Sequence, residues 1–303
     1  MTVVADGSGK DGTDGIPARG DDDYTPSARR LARERDRRVR ARRATAIAAL
    51  STLVTAAVLY LIVVNAPGWP RTRETFFNGQ YAREALPKVL EGLWLNVRLL
   101  LVCGVAVLVL GMLIAIARTL RGPVFFPLRA LAAAYTDFFR GLPLLINLMI
   151  VVLGVPALRL QGVTVDPVLL GGTALTLTYS AYVAEVFRAG IESVHPSQRA
   201  AARSLGLTNR QALRHVILPQ AVRRQVPPLL NDLVSLQKDT GLVSIGGAID
   251  AVRAADIIVG RSLNYTPYIV AGLVFVALTI PMTRFTDWVT ARMDRQRAQG
   301  GSI

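Results

Sequence analysis

Cysteine and histidine are nearly missing from this 303-residue chain, which has one of the former and two of the latter. A lone Cys103 excludes an internal disulfide framework. His195 and His215 are too few for a histidine-rich metal site, so no metal and no cofactor is expected. Charge is scarce as well, at 18% of residues against about 25% in soluble proteins. A phosphate-binding loop is also lacking. The stretch GSGK, Gly7 to Lys10, has no earlier glycine at the required spacing, and Asp11 follows where Ser or Thr is needed. The chain therefore carries no sign of nucleotide hydrolysis or other catalysis of its own.

What is abundant is Leu, Val, Ala and Ile. The chain is 51% hydrophobic with a mean hydropathy of +0.38, the composition of a polytopic membrane protein. The net charge of +14 would suggest nucleic acid on a soluble domain. In a membrane chain the same excess marks cytoplasmic loops, and no nucleic-acid partner is expected.

Residues 1–28 are rich in Gly, Asp and Ser and read as disordered. Arg29 to Arg43 holds nine arginines against Glu34 and Asp36. Uncharged sequence from Ala44 to Pro70 follows at once, long enough to cross about 30 Å of hydrocarbon. Four more apolar runs are clear: Leu99 to Ala117, Gly141 to Leu158, Val168 to Ala184 and Ser262 to Thr283. In lipid these must be helices, because open strands leave backbone groups unpaired. The positive-inside rule puts the N-terminus, Arg118 and Arg121, the segment from Arg199 to Arg224, and the tail from Arg284 on one side. Five crossings break that parity. A sixth is expected between about 222 and 260, where Asp232, Lys238 and Asp239 hide it from hydropathy. The expected fold is all-α, with six spans and both ends cytoplasmic. Its parts are a basic tail (1–43), an extra N-terminal span (44–70), a five-helix core (88–290) with a cytoplasmic loop at about 195–220, and a cytoplasmic tail (291–303).

That loop, QRAAARSLGLTNRQALRHVILP, is strongly basic yet helical in pattern. Ala201 and Leu205, then Ala212 and Val216, recur at four-residue steps. Gly206 separates two short helices, Thr208 and Asn209 are candidate N-caps, and Pro219 blocks continuation. Composition alone leaves open a surface loop without a partner.

Ala201-Ala202, Gly206 and Val216-x-Leu218-Pro219 resemble the EAA loop of permease subunits of ATP-driven, binding-protein-dependent importers. VILPQAVRRQVPPLLNDLVSLQKDT, DFFRGLPLLINL, YSAYVAEVFRAGIESV and GLWLNVRL are similar to the branch that carries polar amino acids. These stretches stand in family order over roughly residues 88–294. Two positions depart from the pattern: Ala200 replaces the loop's opening Glu, and Gly241 replaces the Ser that follows Lys-Asp-Thr.

The resemblance implies a membrane pathway with no enzymatic activity of its own. Its implied partners are a dimer of cytoplasmic ATPase subunits, an extracytoplasmic solute-binding protein, a second permease (identical or related), an amino acid substrate and the bilayer. It assigns Ala201, Ala202, Arg203, Gly206, Leu218 and Pro219 to a coupling element on the ATPase. Glu185, Arg188 and Glu192 are placed to steady that loop, or to pair as an ordinary helix end. Pro143 is expected to bend its helix. Asn147, Thr173, Thr176, Thr178, Tyr179, Asn231 and Asp232, with Lys238 and Asp239, are polar groups for either the pathway or helix packing. An autonomous secondary transporter and a membrane-anchored basic scaffold are the competing classes.

Overall fold

The computed structural model describes residues 28–120 and 122–300. The expectations for residues 1–27, for Arg121 and for the last three residues lie outside that range. Among the described residues every regular element is helical.

The chain divides at Trp69 and Pro70 into two compact units. The first contains α1 (Ala28–Val64). The arginine block and the apolar run share this one helix, and from Arg40 to Val64 it is long and apolar enough to cross a membrane. Its threonines suit lipid, since Thr45 and Thr52 donate back to the carbonyls of Ala41 and Ala48.

α2 (Trp69–Phe76) starts at the boundary and leads to α3 (Gly79–Thr119) of the second unit, whose start is capped by the Asn78 side chain. A single 3-10 turn (Pro123–Phe125) precedes α4 (Phe126–Gly141). The chain then bends by 105° into α5 (Leu144–Met149), a π turn (Ile150–Gly154) and α6 (Val155–Ala157). The bend falls at Leu142–Pro143. Leu142 is extended, as a residue before proline must be, so α4 ends there. Next come α7 (Pro167–Glu192), α8 (Pro196–Ser204), α9 (Asn209–Ala212) and a π turn (Leu213–Ile217). α10 (Leu218–Asp239) runs into a 3-10 segment (Thr240–Gly246), followed by α11 (Ala251–Ser262) and α12 (Thr266–Gly300).

α7 is the axis of this unit. α3 lies parallel to it: Cys103 meets the carbonyl of Gly172, Gly111 meets Val183, and Arg118 meets Glu185. α10 runs antiparallel, with Ala221 and Gln225 at Gly190 and Asp239 at Tyr179. α12 is antiparallel to α10, since Gly241 meets Phe275 and Gln237 meets Thr279. The seams are close because glycines line them: a Cβ at Gly171 would lie 2.4 Å from a Val243 methyl, and one at Gly111 2.7 Å from a Val183 methyl. α3 also packs on α11, with Ala85 and Val89 against Ala251 and Ala255.

By length and apolarity three helical stretches qualify as spans, Arg40–Val64, Trp69–Thr119 and Thr266–Arg295, and the bent α4–α6 pair makes a fourth. α7 and α10 do not qualify, although the sequence marks Val168 to Ala184 as a clear span. The reason is position. α7 faces protein on most sides and buries Gly171, Gly172, Thr178, Tyr179 and Ser180, so its composition answers to neighbouring helices rather than to lipid. Gly241 also has a local reason: a Cβ there would lie 3.1 Å from the Phe275 ring and 3.3 Å from a Val252 methyl.

Candidate functional site

The loop from Ser193 to Ile217 is built on a buried base. Ile191, Val194, Ile217 and Ala221 form a small core of their own, and Ala202 and Ala212 are buried as well. His195 caps α8 by accepting the amide of Ser197 through Nδ1. Gly206 ends α8 at φ +79°, a left-handed conformation that glycine adopts without penalty. The amide of Leu207 returns to the carbonyl of Ala202, and that of Gly206 to Arg203, which is the Schellman closure. α9 restarts on a capping box between Thr208 and Gln211.

Of the residues assigned to coupling, Ala201, Arg203, Gly206 and Pro219 are exposed, Leu218 is half-buried and Ala202 faces the base. Leu205, at the tip of α8, is 82% exposed. The four-residue pair Ala201 and Leu205 therefore lies on the outward side of α8, while Ala202 points in. Ala200 is exposed too, so the missing Glu removes a surface charge and no internal partner.

An ion cluster braces the helix that feeds the loop. Glu185, one residue past the apolar run of α7, accepts from Arg118 at 2.8 Å and from Arg188 at 2.5 Å, with Arg140 at 3.9 Å. Arg188 also bonds Glu192. The bonds from Arg188, helped by the charges of Arg118 and Arg140 and opposed by burial, draw the Glu185 carboxyl down to about 2. Arg188 is correspondingly held above its ordinary value by its bonds to Glu185 and Glu192. Sequence reasoning found Glu185, Arg188 and Glu192 but missed Arg118, which lies 67 residues from Glu185 on another helix. Arg224 adds a tie, donating to the carbonyl of Ser193 at 2.6 Å.

Toward the middle of the unit, Asn147 donates to the carbonyl of Ala174 at 3.0 Å and to Thr178 at 2.7 Å. The next residue, Tyr179, donates to Asp239 at 2.6 Å. One carboxylate oxygen of Asp232 is buried with no hydrogen-bond partner among the described residues. The structure thus links Asn147, Thr178, Tyr179 and Asp239 across α5, α7 and α10. Asn231 and Lys238 are exposed and stand apart. Thr173 and Thr176 donate to carbonyls of their own helix.

A buried polar latch was not singled out from sequence. Asn96 donates to Asp250 at 3.0 Å and to Thr240 at 3.3 Å, and accepts the amide of Ala251. A Cβ on nearby Gly92 would lie 2.4 Å from the Asp250 backbone. The one available signal was a Gly and an Asn one turn apart in the largely apolar GLWLN.

Residues 107–295 match the model of the family described as "Binding-protein-dependent transport system inner membrane component". The chain belongs to that family of membrane permeases. It is 36% identical over 188 residues to the probable glutamine ABC transporter permease protein GlnM of Bacillus subtilis, covering 62% of this chain and 84% of that one. It is 34% identical over 199 residues to the arginine transport system permease protein ArtQ of the same organism, covering 65% and 89%. Among solved structures it resembles an amino acid ABC transporter with histidines, at 32% identity and a TM-score of 0.61 over 68% of this chain and 94% of that one. The inward-facing MetNI methionine ABC transporter shares the fold, at 21% identity and a TM-score of 0.54 over 68% and 95%.

Proposed function

We propose that this chain is the permease subunit of an ATP-driven, binding-protein-dependent importer of polar amino acids. The observation that carries the reading is the loop: an exposed Leu205–Gly206 turn stands on a buried base and is tied to α7 and α10 by short contacts. Such an element transmits displacement, because its base belongs to the packed helices and its tip is free to dock. Relatives named for glutamine and arginine support the substrate class.

In this reading a separate ATPase dimer hydrolyses ATP and receives the loop through Ala201, Arg203, Leu205 and Gly206. A solute-binding protein delivers substrate at the opposite end, where α11 lies. The loop end is cytoplasmic, six crossings put both termini there, and a second permease, identical or related, completes the pathway. Asn147, Thr178, Tyr179, Asp232 and Asp239 border that pathway. The test is uptake of labelled amino acids by proteoliposomes holding this chain with its ATPase and binding protein. Uptake that requires ATP and the binding protein supports the reading; uptake by this chain alone, driven by an ion gradient, overturns it.

A further inference from the structure

A groove of about 620 Å³ opens between the end of α3, the 3-10 turn after it and the α9–α10 corner. Its floor includes Ile116, Leu120 and Ile217, and its rim carries Arg199, Arg210 and Arg214. No carboxylate lines it. Among the described residues none of the three guanidiniums has a hydrogen bond or an ion pair, whereas Arg118, Arg188 and Arg224 are all paired. Neither Leu205 nor Gly206 borders the groove. The apolar surface continues outward from it, since Phe125 lines it and the neighbouring Val124 and Phe126 are exposed.

We infer that this groove is a binding site for an anionic phospholipid of the inner leaflet. Three unpaired guanidiniums around an apolar floor suit a ligand with an anionic head and a greasy body. A guanidinium fork matches phosphate oxygens in pairs, and basic pockets beside membrane helices hold anionic headgroups. The floor and the exposed Val124–Phe126 surface give the acyl chains a continuous path from the bilayer. A soluble anion would use the arginines and leave the floor wet. The bound lipid would fix the α9–α10 corner to the end of α3, so the loop's base would depend on membrane composition. The inference rests on the reading of this end as the inner membrane surface and goes beyond the proposed function.

The test is native mass spectrometry of the purified chain from mixed phosphatidylglycerol and phosphatidylcholine, counting retained lipid. Wild type is expected to hold phosphatidylglycerol selectively, and excess inorganic phosphate should not displace it. Arg210→Gln with Arg214→Gln should weaken retention by roughly fivefold per arginine. Thr119→Trp fills the groove while keeping every arginine, and should lose the lipid equally. Arg223→Gln, on exposed α10 surface outside the groove, should retain it. Undiminished phosphatidylglycerol in both the double variant and Thr119→Trp would overturn the site. Release of the lipid on adding the ATPase subunit would also overturn it, because the groove would then be the seat of that protein. The count is read without transport, so its failure is separate from failure of the importer reading.

Discussion

The two ends of the α3–α12 unit solve opposite problems. At the α11 end, Asn96, Thr240 and Asp250 are buried and bonded to one another, and Gly92 admits the Asp250 backbone with no room for a methyl group. At the loop end, polar groups are split: Glu185 gathers arginines into a brace, while Arg199, Arg210 and Arg214 have no partner among the described residues and Leu205 is exposed. Closed pairing makes a fixed seam. Unpaired charge at the other end is free to contact other molecules. The contrast sets a closed, buried polar seam at one end against a braced base with open charge at the other.

The sharpest way to break the contrast is Gly92→Ala. Its methyl would overlap backbone, which cannot rotate away, so the cost should reach or exceed the upper part of about 1–3 kcal/mol for overpacking. Thermal unfolding in detergent should show a large drop, while Gly141→Ala, with nothing within 4 Å, should change little.

Asn96→Leu comes next. It leaves the Asp250 carboxylate short of a donor and the Ala251 amide short of an acceptor, each worth about 1–3 kcal/mol when buried. Wild-type unfolding temperature in this variant would show that the latch contributes nothing.

Glu185→Gln should be milder, by about 1 kcal/mol, because the cluster is partly solvated. Its pH dependence has a definite sign. The folded carboxyl sits near 2, below its unfolded value, so the stabilisation is fully present above the ordinary carboxylate range and fades as pH falls toward 2. The gap in unfolding temperature between wild type and Glu185→Gln should be flat above about pH 5 and close on acidification. A gap that widened in acid would reject the brace.

Much of this was legible in sequence. The loop's helix, glycine stop and second helix follow from Gly206 and Thr208, whose capping roles are local. The bend at Pro143 is local as well. Arg118 with Glu185, and Asn96 with Asp250, were not legible, since each joins helices distant in sequence and nothing in either stretch names the other. The apolar run from Val168 to Ala184 does fall within α7, but hydropathy averages over a helix and does not register which faces meet protein. Leu205 was legible as part of a helical repeat, but its direction depended on where the base lies, and only Ala202 and Ile217 in place settle that.

The smallest expected effect on stability is the most informative about function. Leu205 is 82% exposed, so Leu205→Asp should leave stability within about 0.5 kcal/mol of wild type. Gly206→Arg adds only the strain of a left-handed residue, about 1 kcal/mol, while Gln211→Arg serves as a charge control. The direct measurement is co-purification of the ATPase subunit together with the ATPase rate stimulated by loaded binding protein in proteoliposomes. Leu205→Asp and Gly206→Arg are predicted to insert and fold, yet to lose ATPase binding or its stimulation, with Gln211→Arg close to wild type. Wild-type binding and stimulation in both variants would contradict the assignment of this turn as the coupling contact.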